Sequence, residues 1–156
     1  MYRVHNNNSN GLLFRFFFIL LLAYIAPIFA AEQAINGLWQ STDDKSGKPR
    51  SYIRIYESNN EFSAVVEKGL LDTDTGDEVC SQCQDARKDQ PIIGMTILEG
   101  MQKRGHVYEG GQILDPENGK IYRCKMKLDS TGNKLEVRGF IGISIFGRSQ
   151  MWTRVE

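Results

Sequence analysis

Lys120-Ile121-Tyr122-Arg123-Cys124-Lys125-Met126-Lys127-Leu128 puts Tyr122, Cys124, Met126 and Leu128 on one parity and Arg123, Lys125 and Lys127 on the other. Successive side chains of a β-strand point to opposite faces, so this stretch predicts a strand with one face in a core and one in water. Downstream, Leu135, Val137, Gly139 and Ile141 repeat the alternation against Glu136 and Arg138. Upstream, Ile53 and Ile55 flank Arg54, and Phe62, Ala64 and Val66 alternate with Ser63 and Val65. After Asn36 no stretch of a dozen residues keeps apolar positions at helical spacing, so the pattern predicts an all-β domain.

Between these runs lie Ser46-Gly47-Lys48-Pro49, Asn59-Asn60, Pro116-Glu117-Asn118-Gly119 and Ser130-Thr131-Gly132-Asn133, rich in residues that accept turn dihedrals. Asn118-Gly119 is the strongest hairpin signal. The spacing predicts strands at Gly37–Ser41, Ser51–Tyr56, Glu61–Gly69, Ile92–Glu99, Val107–Leu114, Lys120–Leu128, Lys134–Ile141 and Arg148–Val155. About eight strands joined by consecutive hairpins favour a closed, antiparallel, up-and-down β-barrel. Gly94, Gly110, Gly111, Gly139 and Gly142 fall in or beside the strand patterns, where glycine marks bulges and bends, and Gly139 is the foremost candidate. Leu71 to Pro91, polar and acidic with two cysteines, is too long for a hairpin turn and is expected to form a lid or hold a short helix.

The first thirty residues stand apart from the fold. Arg3 and Arg15 precede an uncharged run, Phe16 to Ile25, that ends at Pro27, Phe29, Ala30 and Ala31. That is the shape of a secretory signal peptide, predicted over residues 1–31, with the barrel domain over 32–156 and a periplasmic or secreted location. An uncleaved anchor is the alternative, although the run is short for a span of ~20 residues. The chain of 156 residues has 19 basic and 19 acidic side chains, and losing the leader leaves seventeen against nineteen. A nearly neutral, slightly acidic protein has no global field to draw it onto nucleic acid or an acidic membrane surface.

Cys80-Ser81-Gln82-Cys83 is the sharpest local motif. Three chemistries compete for it: a structural disulfide, which export favours; a redox couple, disfavoured by Asp77, Glu78 and Asp85, which raise a thiol pKa; and half of a zinc site completed by Cys124 and His106. Cys124 lies on the apolar parity of its strand, where a buried, inert thiol is expected. Asp72-Thr73-Asp74-Thr75-Gly76-Asp77 lacks the glycine and glutamate spacing of a calcium loop and reads as a solvated acidic turn. No nucleophile elbow, phosphate-binding glycine loop or metalloprotease helix is present, so no catalytic residue, metal or cofactor is assigned. Asp115 and Asn118 are expected to cap their own turn.

Gly37-Leu38-Trp39 opens the first strand, and Arg148, Trp152 and Arg154 lie in the last. This resembles the lipocalin-like arrangement in which a first-strand tryptophan packs under a late arginine and closes the barrel. Taken with the Cys80-x-x-Cys83 loop, Gly110-Gly111-Gln112-Ile113-Leu114-Asp115-Pro116-Glu117-Asn118-Gly119-Lys120-Ile121-Tyr122 and Leu135-Glu136-Val137-Arg138-Gly139-Phe140-Ile141-Gly142, the chain resembles the exported bacterial family called domain of unknown function two-one-four-seven. The resemblance runs from Gly37 through Arg154. It implies a lipocalin-like barrel and a periplasmic or secreted location, and no catalytic residue.

The leading expectation is therefore a non-enzymatic barrel whose mouth or interior holds an apolar or amphipathic small molecule, with Tyr52, Tyr56, Phe62, Tyr108 and Phe140 either lining that mouth or filling the core. The rivals are a structural or interaction protein of the envelope, offering Ile143, Ile145 and Phe146 to a partner protein, and a thiol-disulfide or zinc protein.

Overall fold

The computed structural model describes residues 1–3, 34–43 and 46–156. The chain divides into two units, Met1–Ala31 and Glu32–Glu156. The expected signal peptide and its cleavage region lie outside the described residues, apart from residues 1–3.

Eight strands make up the second unit: β1 (Gly37–Thr42), β2 (Pro49–Ser58), β3 (Glu61–Gly69), β4 (Thr96–Arg104), β5 (Val107–Asp115), β6 (Lys120–Leu128), β7 (Lys134–Phe140) and β8 (Gly147–Arg154). Each pairs antiparallel with the next, and β8 returns to β1 through Trp39↔Arg154 and Gln40↔Thr153. The result is a closed up-and-down barrel, and closure removes the unpaired edges an open sheet would expose. The helical element among the described residues is one 3₁₀ turn, Ser144–Phe146.

Parity decides what goes inside. In β6, Cys124 and Met126 are buried while Arg123 and Lys127 are exposed, and in β7 Leu135 and Val137 are buried. Buried Ile55, Leu98, Met101, Met126 and Leu135 meet Trp39 and Trp152 in one core.

The chain direction sorts the connections onto two ends. The tight turns β2–β3, β4–β5 and β6–β7 lie at one end, with the start of β1 and the finish of β8. At the other lie the β1–β2 loop, the long segment 70–95, the β5–β6 turn and the β7–β8 loop. The first end is plugged. Arg154 stacks over the Trp39 ring at 4.3 Å, and Trp39 Nε1 donates to the Ile35 carbonyl at 2.8 Å. The Arg154 guanidinium also donates to the carbonyls of Gly132, Asn36 and Ala34, tying the β6–β7 turn to the N-terminal segment. Burial over the indole lowers the Arg154 pKa from its ordinary value. Phe62 and Tyr108 meet edge to face at 4.9 Å, further filling this end.

Two local expectations are corrected. The fourth strand is Thr96–Arg104 rather than Ile92–Glu99. Ile92 and Ile93 are loop residues whose side chains pack on the core, so their apolar character reflects core contact and not strand pairing. Gly139 is no bulge: pairing runs unbroken through Cys124↔Gly139 and Gly139↔Arg148. The bulge falls at Gly110, where φ is +93° and the β5–β6 register shifts between Glu109 and Gln112.

Candidate functional site

A cavity of about 690 Å³ opens at the unplugged end. Its walls come from inward positions of six strands: Ile53 of β2, Val66 of β3, Ile97 of β4, Ile113 of β5, Val137 of β7 and Trp152 of β8. Gly139 contributes by having no side chain. A Cβ there would lie 3.4 Å from Tyr122 Cβ and 3.6 Å from Ile113 Cγ2, so a larger residue would grow into the space between them. Near the mouth the lining turns polar. Ser41, almost fully buried, shares a 2.7 Å hydroxyl contact with Ser51. Gln150 Oε1 accepts from Trp152 Nε1 at 3.2 Å, and Tyr122 Oη accepts from Asn118 Nδ2 at 3.3 Å. An apolar interior under a polar rim suits a molecule with one apolar end.

The segment 70–95 covers part of this mouth and is fastened at two places. Arg50 of β2 reaches Asp74 at 3.2 Å and Glu117 at 3.0 Å, joining the segment to the β5–β6 turn. Burial alone would lower the Arg50 pKa, but the hydrogen bond to Glu117 and the charge of Asp74 outweigh it and raise the pKa. The second fastening is the Cys80–Cys83 disulfide, with Cα atoms 5.4 Å apart and both residues buried. Cys80 Sγ lies 3.5 Å from the Pro116 carbonyl oxygen as a packing contact, since a half-cystine has no proton to donate. The β5–β6 turn meets it closely. Asp115 accepts from the Glu117 backbone N–H and from Asn118, and Asn118 accepts from the Lys120 N–H. Gly119, at φ +68°, leaves no room for a Cβ, which would overlap the Gln82 carbonyl. The segment is a set of turns bridged by Val79↔Pro91, with no helix among its residues. Glu78, on the cavity lining, accepts backbone N–H bonds from Thr75 and Gly76, and these hold its pKa below the ordinary value.

The expected site residues separate between the two ends and the two faces. Of the four named for barrel closure, Trp39 and Arg154 meet at the plugged end, and Trp152 is buried in the wall. Arg148 is misplaced in that group: it pairs opposite Gly139 and lines the cavity mouth, six residues and roughly 20 Å along β8 from Arg154. Of the five aromatics named for lining, Phe140 borders the cavity, its ring 5.4 Å from the Arg123 guanidinium. Phe62 and Tyr108 instead belong to the plug. Tyr52 and Tyr56 alternate with buried Ile53 and Ile55 and so face outward. The lining missed by sequence reading consists of small and aliphatic residues, whose signal was the inward parity itself.

Cys124 is buried mid-barrel, and desolvation pushes its thiol up to about 12. The four residues of the zinc alternative are not brought together: His106 is in the β4–β5 turn at the plugged end, Cys124 is in the core, and Cys80 and Cys83 are bonded to each other at the open end. Among the described residues no three His, Cys, Asp or Glu side chains are grouped to hold a metal, and no helix is long and apolar enough to cross a membrane.

A closed eight-stranded antiparallel barrel, plugged at one end by a stacked Trp and Arg and open at the other, defines a lipocalin-like protein. A solved structure, the Helicobacter pylori protein HP1028, described as belonging to the lipocalin family, is similar with a TM-score of 0.70 at 20% identity, over 80% of this chain and 85% of that one. The chain belongs to the family of uncharacterized proteins conserved in bacteria called DUF2147, whose model matches residues 37–154. No curated protein matches it.

Proposed function

We propose that this protein is an exported, non-enzymatic carrier that holds one apolar or amphipathic small molecule in the barrel. The observation that carries the reading is the cavity of about 690 Å³, apolar inside and polar at its rim, within the volume range of small-molecule sites. Export is supported by the basic, then apolar, then small-residue order of positions 3 to 31 and by a cysteine pair suited to an oxidising compartment. The periplasm or the extracellular medium is the proposed location.

The thiol-enzyme alternative has less support. Both sulfurs are buried beneath the β5–β6 turn, so a substrate disulfide has no approach to them without unfastening the segment.

Native mass spectrometry of the protein purified from the periplasm tests both parts. A retained small molecule released on denaturation, on a chain lacking its first thirty or so residues, is expected. Displacement of the neutral fluorophore 1-aminoanthracene measures the cavity directly. Val137→Trp, which fills the interior, should abolish its binding while the protein still melts cooperatively. Undiminished binding to Val137→Trp would place the ligand elsewhere and defeat the proposal.

A further inference from the structure

The β7–β8 loop does not fold its apolar residues away. Ile141, Ile143, Ile145 and Phe146 are 66%, 63%, 74% and 78% exposed, and Ile141 and Phe146 also border the cavity mouth. The loop is held in this posture by arginines. Arg138 donates to the carbonyls of Ser144 and Ile145, and Arg123 donates to that of Gly142. The charge flanking the loop is basic: Arg123 and Arg138 bond its carbonyls, Arg148 follows it at the mouth, and from Val137 to Gln150 the chain carries no carboxylate, the nearest in sequence being Glu136. The acids that line the mouth, among them Asp74, Glu78 and Glu117, are on the other loops.

We infer that the β7–β8 loop docks the barrel onto an anionic lipid bilayer, its apolar tip entering the acyl boundary while the arginines meet lipid phosphates. Charge and shape favour this occupant. Apolar side chains beside basic residues match an anionic interface. The four tips offer on the order of 600 Å², short of the ~800 Å² that each partner of a stable protein pair contributes. A bilayer needs no complementary pocket to accept a protruding tip. Docked this way, the mouth abuts the lipid, and an apolar ligand passes into the cavity without crossing water. That transfer step rests on the proposed carrier function, whereas docking does not.

The test is flotation of the protein, as the cell processes it, with phosphatidylcholine vesicles with and without phosphatidylglycerol. Binding to the anionic vesicles, reduced by salt and at least about tenfold weaker in Ile145→Ser/Phe146→Ser, is expected. Both side chains face solvent, so the variant should keep the wild-type melting temperature, and Ile143→Ser is the second variant should it not. No flotation, or flotation unchanged by the loop variants, overturns the inference. Loop-dependent dimerisation in analytical ultracentrifugation without vesicle binding also overturns it, in favour of a second copy as the occupant. 1-Aminoanthracene binding in lipid-free solution reports on the cavity alone, so failure here is distinguishable from failure of the carrier function.

Discussion

Replacing Trp39 by alanine tests the view that the Trp39–Arg154 stack plugs the barrel rather than binds anything. Trp39 is fully buried, sits under a guanidinium and donates to the Ile35 carbonyl. Burial of ~200 Å² of side chain at ~25 cal/mol per Å² sets an upper estimate of about 5 kcal/mol for the transfer term. Measured large-to-small aromatic truncations cluster at about 3–5 kcal/mol, and that is the expected loss. The stack itself supplies ~0.5–2 kcal/mol of it, which a double-mutant cycle with Arg154→Ala should recover as coupling. With a urea slope of about 2 kcal/mol per M, the midpoint should drop on the order of 2 M. Trp39 does not line the cavity, so 1-aminoanthracene affinity of the folded fraction should be unchanged. An unchanged urea midpoint would refute the plug. A loss of probe affinity without a loss of stability would show instead that the plugged end is part of the site.

Gly119→Ala should cost at least ~1–2 kcal/mol from the left-handed backbone alone, and hydrogen exchange should rise in residues 80–92 more than in β1 or β8, because the new Cβ displaces the Gln82 carbonyl. Cys124, with its pKa raised, favours the folded state fully below the unfolded thiol's value of about 9, and that contribution is lost as pH rises towards about 12. Native protein should therefore resist iodoacetamide at pH 8 and react once urea unfolds it; rapid native labelling would contradict the burial. Asp85 is held down to about 2 by hydrogen bonds and charge from Arg87, so its contribution is present above the ordinary carboxylate range and lost as pH falls through about 2. Carboxyl NMR should place the Asp85 midpoint there in the wild type and nearer 3.8 in Arg87→Gln; equal midpoints would mean the pair is not formed in solution.

The strands were legible wherever one face is buried and one is wet, because period-two alternation is then forced. β6 and β7 satisfy that condition, and which of their residues face the core could be read from the alternation alone. β4 could not be read so well. Ile97 and Leu98 are consecutive buried residues, and the β3–β4 pairing slips twice, between Phe62 and Ala64 and between Ala64 and Val65. Alternation is broken there, and the nearby Ile92-Ile93 pair supplied a false strand start. The same parity rule, carried one step further, would have moved Tyr52 and Tyr56 out of the lining, since Ile53 and Ile55 already occupied the inner face. Strand parity, not aromatic identity, decides which face of the barrel a side chain takes.

The two ends of the barrel pose a different problem. Arg148 and Arg154 share a strand and a face, and nothing local tells them apart; the partner of Trp39 is fixed by the β1–β8 register, a contact between residues more than a hundred positions apart. The mouth is likewise assembled from four loops distant in sequence, so Arg50, Asp74 and Glu117 carry no spacing that announces their junction. What the sequence did carry is the oddity of two segments, the cysteine-bearing stretch after β3 and the apolar loop after β7. Both lie at the open end: the first buries Cys80 and Cys83 and packs Ile92 and Ile93 on the core, whereas the second leaves Ile143, Ile145 and Phe146 exposed. The plugged end, by contrast, is joined by short turns and held by packing. That asymmetry argues that the barrel's stability and its proposed function are separated along its axis, so substitutions at the mouth can retune the ligand or the docking surface while Trp39 and Arg154 keep the barrel closed.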